Sequence, residues 1–320
     1  MDHSGAAGKP VRMQFFLPIG KGSMSENESP VFCNYDQSDY QEAFWGEGKR
    51  AYEDACEVMA LERLMPKTGK LLLEIGAGAG RNTLRYPGYE KIVLMDYALT
   101  QMQQAQARLG TSDRFVYVAA DVFHLPFADA LFDGATMIRV LHHLSEIEPA
   151  FEEIQRVMQT RSTFILEYAN KRNLKAILRY LTGKQKWNPF SQERVEFVEL
   201  NFNNHPDIVE KGLQQNNFKV EKVLSVSNLR IGSLKKKENL NWMLKLESLL
   251  QTAAAPLKIS PSVFMRCQQT FDKPNALQHE FFRCPNCQSY EIVEEDVRIH
   301  CHACGRDYPI VDGIYDFRLK

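Results

Sequence analysis

The sequence predicts an α/β protein: a Rossmann-like, seven-stranded, mostly parallel sheet with helices on both faces, followed by a small cysteine-bearing module. Three observations carry that prediction. Short apolar runs alternate with helical stretches between residues 71 and 168, which is the pattern of a parallel sheet with right-handed crossovers. A glycine-rich run, Gly76-Ala77-Gly78-Ala79-Gly80, follows the first apolar run. Two Cys-x-x-Cys pairs stand in the last forty residues.

Taken in order, residues 1–29 are rich in Gly, Ser and Lys without periodicity, so they read as a flexible leader. The main domain is expected over 30–270. Ala51, Ala55, Val58, Met59 and Leu61 recur at helical spacing, and Pro66 ends that helix. Strands follow at Leu71–Ile75, Ile92–Met95, Phe115–Ala119, Phe132–Ile138 and Thr163–Tyr168, with helices at Thr100–Leu109 and Glu146–Met158 between them. Val220–Val226 and Ser262–Arg266 supply two more strands. The stretches 183–206 and 229–260 read as insertions forming a lid, the second with a helix over Leu240–Leu250. Residues 271–282 are a polar linker to a module at 283–320.

Composition narrows the function classes. With 44% hydrophobic and 25% charged residues, the 320-residue chain can bury a core. Thirty-nine Lys and Arg balance forty acids, which excludes a generally basic nucleic-acid binder. No apolar run approaches the roughly 18 residues of a membrane span. Phe15–Ile19 is shorter than the roughly 7–15 residues of a signal-peptide core. A cytoplasmic location is therefore expected. There, paired Cys-x-x-Cys motifs read as a metal site rather than disulfides; Cys33, Cys56 and Cys267 have no such pattern.

Glycines after a first strand let bare backbone approach a ligand at the carboxyl edge of the sheet. A dinucleotide fingerprint needs a third small residue where this chain has Arg81. Glu74, two places before Gly76, would repel a pyrophosphate but suits a ligand with an ammonium group. Asp96 ends the second strand, where it can take two ribose hydroxyls. Asp121 follows the third and can accept from an adenine amino group.

These residues resemble the class I S-adenosylmethionine-dependent methyltransferases, in particular the group that includes the ubiquinone and menaquinone methyltransferases. The resemblance spans about Tyr40 to Leu181. It rests on Glu74-x-Gly76-x-Gly78-x-Gly80, Asp96, Ala120-Asp121-Val122-x-x-Leu125-Pro126-Phe127, Phe132-Asp133 and Arg139-Val140-Leu141-His142-His143-Leu144. Ala98 stands where many relatives carry serine. The resemblance implies S-adenosylmethionine as cofactor and S-adenosylhomocysteine as product. The implied binding set is Tyr40, Glu74, Gly76, Ala77, Gly78, Asp96, Tyr97, Asp121, Val122 and Arg139. Asp133 reads as a structural turn or cap. Methyl transfer needs alignment and exclusion of water more than acid–base chemistry. The candidate catalytic residues are His142, Arg139 and Tyr168, with His142 nearer the acceptor and His143 turned inward. Tyr40, Phe44, Trp45 and Arg50 are candidates for closing the pocket.

Cys284, Cys287, Cys301 and Cys304, with thirteen residues between the pairs, offer four thiolates for a structural zinc. The run Cys304-Gly305-x-x-Tyr308-Pro309-Ile310-x-Asp312-Gly313-Ile314 resembles the zinc-ribbon subunits that activate tRNA, rRNA and release-factor methyltransferases. From Glu280 onward the module has five basic residues and eight acids, a poor phosphate binder. Packing on the main domain or holding a protein partner fits it better. Lys171, Arg172, Lys175, Arg179, Lys184 and Lys186 lie together without an acid, and Leu174, Ile177, Leu178 and Leu181 recur at helical spacing. They predict an amphipathic helix with its apolar face inward. The expected acceptor is a small-molecule or lipid-like compound. An RNA or protein methyltransferase and a non-catalytic cofactor-binding scaffold are the alternatives.

Overall fold

A computed structural model describes residues 50–198, 200–231, 239–277 and 280–319. The leader, Tyr40, Phe44, Trp45 and Cys33 lie outside the described residues.

The apolar runs become the centre of a sheet because both their faces are covered. Strand β1 (Gly69–Ile75) pairs in parallel with β2 (Tyr89–Asp96) on one side and β4 (Phe132–Met137) on the other. Strand β3 (Phe115–Ala119) continues beyond β2, and β5 (Met158–Ala169) beyond β4, again in parallel. Antiparallel β9 (Ser262–Gln269) and β8 (Phe218–Val226) complete the far edge. Along β1, Leu73 and Ile75 enter one core with Val93, Phe132 and Phe151, while Leu72 enters the other with Leu94, Met102 and Phe264. This is the period-2 alternation of a strand buried on both faces. Asp133 fixes the start of β1: its carboxylate accepts from the Lys70 and Leu71 N–H groups at 2.7 and 2.8 Å.

Helices α1 (Ala51–Leu64), α2 (Leu99–Leu109), α3 (Glu148–Val157), α4 (Leu174–Leu181), α5 (Pro206–Gln215) and α6 (Leu240–Ala253) surround the sheet. α6 packs on α1 and β8. Its Glu247 is wholly buried, and accepts from the Tyr52 hydroxyl at 2.8 Å and from Ser227 N–H at 2.7 Å. The first expected insertion contains a hairpin, β6 (Val195–Val198) and β7 (Asn201–Asn203). Arg194 ties it to the carboxyl edge by donating to Leu144 O at 2.7 Å.

Helix α4 departs from expectation. Leu174, Leu178 and Leu181 are 50%, 53% and 70% exposed, and only Ala176 is buried. The apolar face therefore turns outward instead of packing on the sheet. Lys171 also leaves the expected basic surface. It is buried, and its ammonium donates to Ser191 O at 2.8 Å and Ser191 Oγ at 2.7 Å.

The C-terminal module is an antiparallel meander of β10 (Ile292–Glu294), β11 (Arg298–Cys301), β12 (Asp307–Val311) and β13 (Ile314–Asp316). Its last strand pairs in parallel with β3, Ile314 opposite Tyr117 and Asp316 opposite Ala119. The seven expected strands thus belong to an eleven-stranded sheet. The end of the expected linker is likewise part of the fold. Phe281 and Phe282 lie against Phe127, with ring centroids 6.3 and 6.1 Å away, and Phe282 meets Phe317 at 4.9 Å.

Because Phe317 is 1% exposed within this shared core, Phe317→Ala should cost about 3–5 kcal/mol in a single urea transition of the whole chain. A separate early transition with the main transition unmoved would show that the module unfolds on its own.

Candidate functional site

The carboxyl ends of β1 to β5 converge on one edge, where the backbone is least regular. Gly76 and Gly80 have φ of 67° and 70°. A Cβ at Gly76 would stand 2.1 Å from Val140 Cγ2, so only glycine fits that turn. The loop is then fixed to β2. Ala77 N–H donates to Met95 O at 3.0 Å, and Gly78 N–H donates to Asp96 Oδ2 at 2.9 Å. Asp96 Oδ1 accepts from Ala98 N–H at 3.0 Å. Each carboxylate oxygen can accept more than one hydrogen bond.

Glu74 lies beneath the loop, 4% exposed, and accepts from Thr83 Oγ at 2.6 Å. Burial pushes its carboxyl up to about 7, although Thr83, Arg81 and Arg85 pull the other way. Asp121 Oδ1 accepts from Phe123 N–H at 2.9 Å, and Oδ2 is 3.5 Å from His124 Nδ1. Its carboxylate raises the His124 pKa. Val122 beside it is buried. Tyr97 is half-buried, with the Arg318 guanidinium 5.8 Å from its ring centroid. The module's tail thus meets the β2 end of the site.

Arg139 takes a left-handed conformation, φ 62°, which costs a non-glycine residue about 1–3 kcal/mol. Two acids hold it there. Its N–H donates to Glu167 Oε2 at 2.9 Å and its Nε to Glu57 Oε1 at 2.6 Å. The other Glu57 oxygen takes Arg81 Nη2 at 2.6 Å. Asp54 pairs with Arg81 and Arg85. Sequence reasoning missed Asp54, Glu57 and Glu167. The Asp54–Glu57 spacing on one helix face, opposite Arg81 and Arg85 four apart, was the signal available.

His142 and His143 have ring centroids 3.9 Å apart. His142 is the more exposed and His143 is buried. Burial, then the neighbouring His143 and Arg139, holds the His142 pKa well below its ordinary value, and its Nδ1 is enclosed without a partner. It is neutral at pH 7. Tyr168 does not join the Arg139 cluster. It alternates with Glu167 along β5, so it points to the other face; it is fully buried and its hydroxyl lacks a partner. Glu167 is the β5 side chain that reaches Arg139.

At the module, the sulfurs of Cys284, Cys287, Cys301 and Cys304 all lie within 4.8 Å of one another. Cys284–Cys304 and Cys287–Cys301 are 3.7 and 3.6 Å apart. Zinc–sulfur bonds of about 2.3 Å in a tetrahedron would set edges of about 3.8 Å, so the four thiols fit one such ion. His300 is instead bound to Asp307 at 2.6 Å.

Residues 73–166 match the family model described as a methyltransferase domain. An O-methyltransferase of Aspergillus sclerotiorum is 31% identical over 118 residues, which are 34% of this chain and 45% of that protein. The demethylmenaquinone methyltransferase of Thermobifida fusca is 25% identical over 37% of this chain and 50% of its own length. The chain spans about half the length of the curated relatives it matches. Among solved structures, an S-adenosylmethionine-dependent methyltransferase of Mesorhizobium loti superposes with TM-score 0.51 at 16% identity, covering 68% of this chain and 99% of that one. A chain from the complex between the Haloferax volcanii Trm112 methyltransferase activator and a methyltransferase gives TM-score 0.50 at 15% identity, covering 75% and 100%. The fold is a Rossmann-like α/β methyltransferase fold.

Glu74 supplies a test of the site's electrostatics. A carboxyl whose pKa rises from 4.5 to about 7 on folding binds protons better folded than unfolded. Its contribution to stability is present below pH 4.5 and is lost as pH rises through 7, at up to about 3 kcal/mol. Denaturant titrations at pH 5 and pH 8 should show this loss in the native chain and a smaller one in Glu74→Gln. Equal losses in both would contradict burial of an ionisable Glu74.

Proposed function

We propose that this protein is an S-adenosylmethionine-dependent methyltransferase acting on a small-molecule or lipid-like acceptor, with a structural zinc in its C-terminal module. One observation carries the reading. Asp96 stands at the end of β2, bridged to Gly78 N–H, within the segment that matches the methyltransferase domain.

S-adenosylmethionine supplies a methyl group on a sulfonium, transferred in line to a nucleophile. This chain's residues bind and orient the reactants. Asp96, at the end of β2, would hold the ribose hydroxyls. Tyr97 and Val122 flank the adenine, and Asp121 accepts from its amino group. The backbone of Gly76, Ala77 and Gly78 would line the path to the methionine end, where Glu74, once ionised, would favour the ammonium group. Glu57 and Glu167 hold Arg139 at the boundary between cofactor and acceptor. His142, being neutral, can accept a hydrogen bond from an acceptor hydroxyl, although its low pKa makes it a weak base.

The four cysteines hold zinc without an open position, so the metal's role is to fold the module. A cytoplasmic location suits thiols kept reduced as ligands. One edge of the module is spent on β3 and its charge is acidic, which disfavours RNA there. A protein partner at its remaining surface is compatible with this assignment.

Calorimetric titration of protein carrying one zinc per chain tests the reading. S-adenosylmethionine and S-adenosylhomocysteine should bind with micromolar affinity, weakened at least about tenfold in Asp96→Ala, consistent with loss of charge-assisted hydrogen bonds. NAD should not bind. Binding of NAD in place of the adenosyl ligands would overturn the proposal.

A further inference from the structure

Beyond β5, the same carboxyl edge opens into a groove of about 1,150 Å³. That is above the roughly 300–1,000 Å³ of ordinary small-molecule pockets. Ala169, at the end of β5, and Asn228, just past β8, line its floor, so it continues the edge that carries Gly76, Asp96 and Arg139. One wall is the outward face of α4, with Leu174 and Leu178; the other carries Ile231 and Leu257. All four are at least half exposed, at 50%, 53%, 50% and 58%. A helix ordinarily buries such a stripe, and here it faces open volume.

The charge on the rim is one-sided. Lys175, Arg179 and Lys184 border the groove and have no ion-pair partner among the described residues. Arg230 also borders it but is engaged by Glu53 at 3.2 Å. Among the described residues no carboxylate lines the groove. An apolar channel beside three unpaired cations complements a molecule with a hydrocarbon chain and an anionic head. The groove is concave with its cations along one wall, which suits a single molecule better than the face of a bilayer. An RNA would want rings to stack on, and the groove walls offer aliphatic side chains. The aromatic pair Trp187 and Phe197 borders an adjoining recess of about 350 Å³ that shares Lys175, Arg179 and Lys184 with the groove, so an oligonucleotide is one arm of the test below.

We infer that this groove binds a single-chain anionic amphiphile, a phosphate or carboxylate on a long hydrocarbon chain, and that this is the acceptor class. The chain lies between α4 and the Leu257 turn, with the head on the Lys175–Arg179 ridge. The assignment as acceptor rests on the methyltransferase reading; binding in the groove does not.

The test is calorimetry of the full chain with octyl, decyl and dodecyl phosphate below their micelle concentrations. Affinity should rise up to about fourfold per added methylene, the gain for full burial. It should fall at least tenfold in Leu178→Gln and in Arg179→Gln, with melting temperatures unchanged because both side chains are exposed. Chain-length-independent affinity would overturn the inference. So would equal binding of inorganic phosphate or a uridine hexanucleotide, or binding only to phosphatidylglycerol-containing vesicles. S-adenosylhomocysteine titrated into the same samples separates the two claims. Its binding without chain-length dependence sinks the groove alone. Chain-length dependence without its binding keeps the groove and sinks the methyltransferase assignment.

Discussion

One buried carboxylate holds the working edge of this molecule together. Glu57, with a side chain 3% exposed, bonds Arg81 from the loop after β1 through one oxygen and Arg139 from the turn after β4 through the other. A buried ion of this kind is tolerable only when its partners are complete, and removing one partner strands charge in a poor solvent. Helix α1 therefore clamps the two loops between which a ligand would lie. Asp54 extends the clamp to Arg85, and the left-handed backbone at Arg139 persists because Glu167 holds its N–H from below. The glycine loop is pinned from the opposite side by Asp96.

The other edge of the sheet shows a second constraint. A parallel strand such as β3 cannot end a sheet without leaving a row of unpaired backbone groups. In this chain β13 covers that edge, and Phe317 N–H adds a further bond to Ala119 O at 2.8 Å. The strand that covers it is held by the meander carrying the four cysteines. A metal there would stabilise more than its own ligands, because Cys284, Cys301 and Tyr308 share the core of β4 and β5. Arg318 then carries the module to Tyr97, next to Asp96.

Much of this was legible in the sequence, for local reasons. The apolar runs gave the five parallel strands of the main sheet, because central parallel strands need continuous hydrophobicity. The glycine spacing and Asp96 placed the loop and its partner, and the Cys-x-x-Cys pairs placed the thiol cluster. What escaped depends on contacts distant in the chain. Nothing near residue 57 tells that Glu57 meets Arg139. Helix α5 begins where the first expected insertion ends and was not predicted, although His205-Pro206-Asp207 is a serviceable helix start. Tyr168 was placed one residue out of phase with Glu167, and a shift of one residue in a strand changes faces. Periodicity correctly gave α4 an apolar stripe but could not say that the stripe faces a groove, since pattern fixes a face and tertiary packing fixes where it points.

The central claim is that Asp96 and the glycine loop form an adenosyl-ligand site. Its most direct test is a crystal structure of the full chain grown with S-adenosylhomocysteine. The account predicts both ribose hydroxyls within hydrogen-bond distance of the Asp96 carboxylate and the amino-acid end of the ligand over Gly76–Gly78. A ligand bound elsewhere, with no contact to the Asp96 carboxylate, would contradict it.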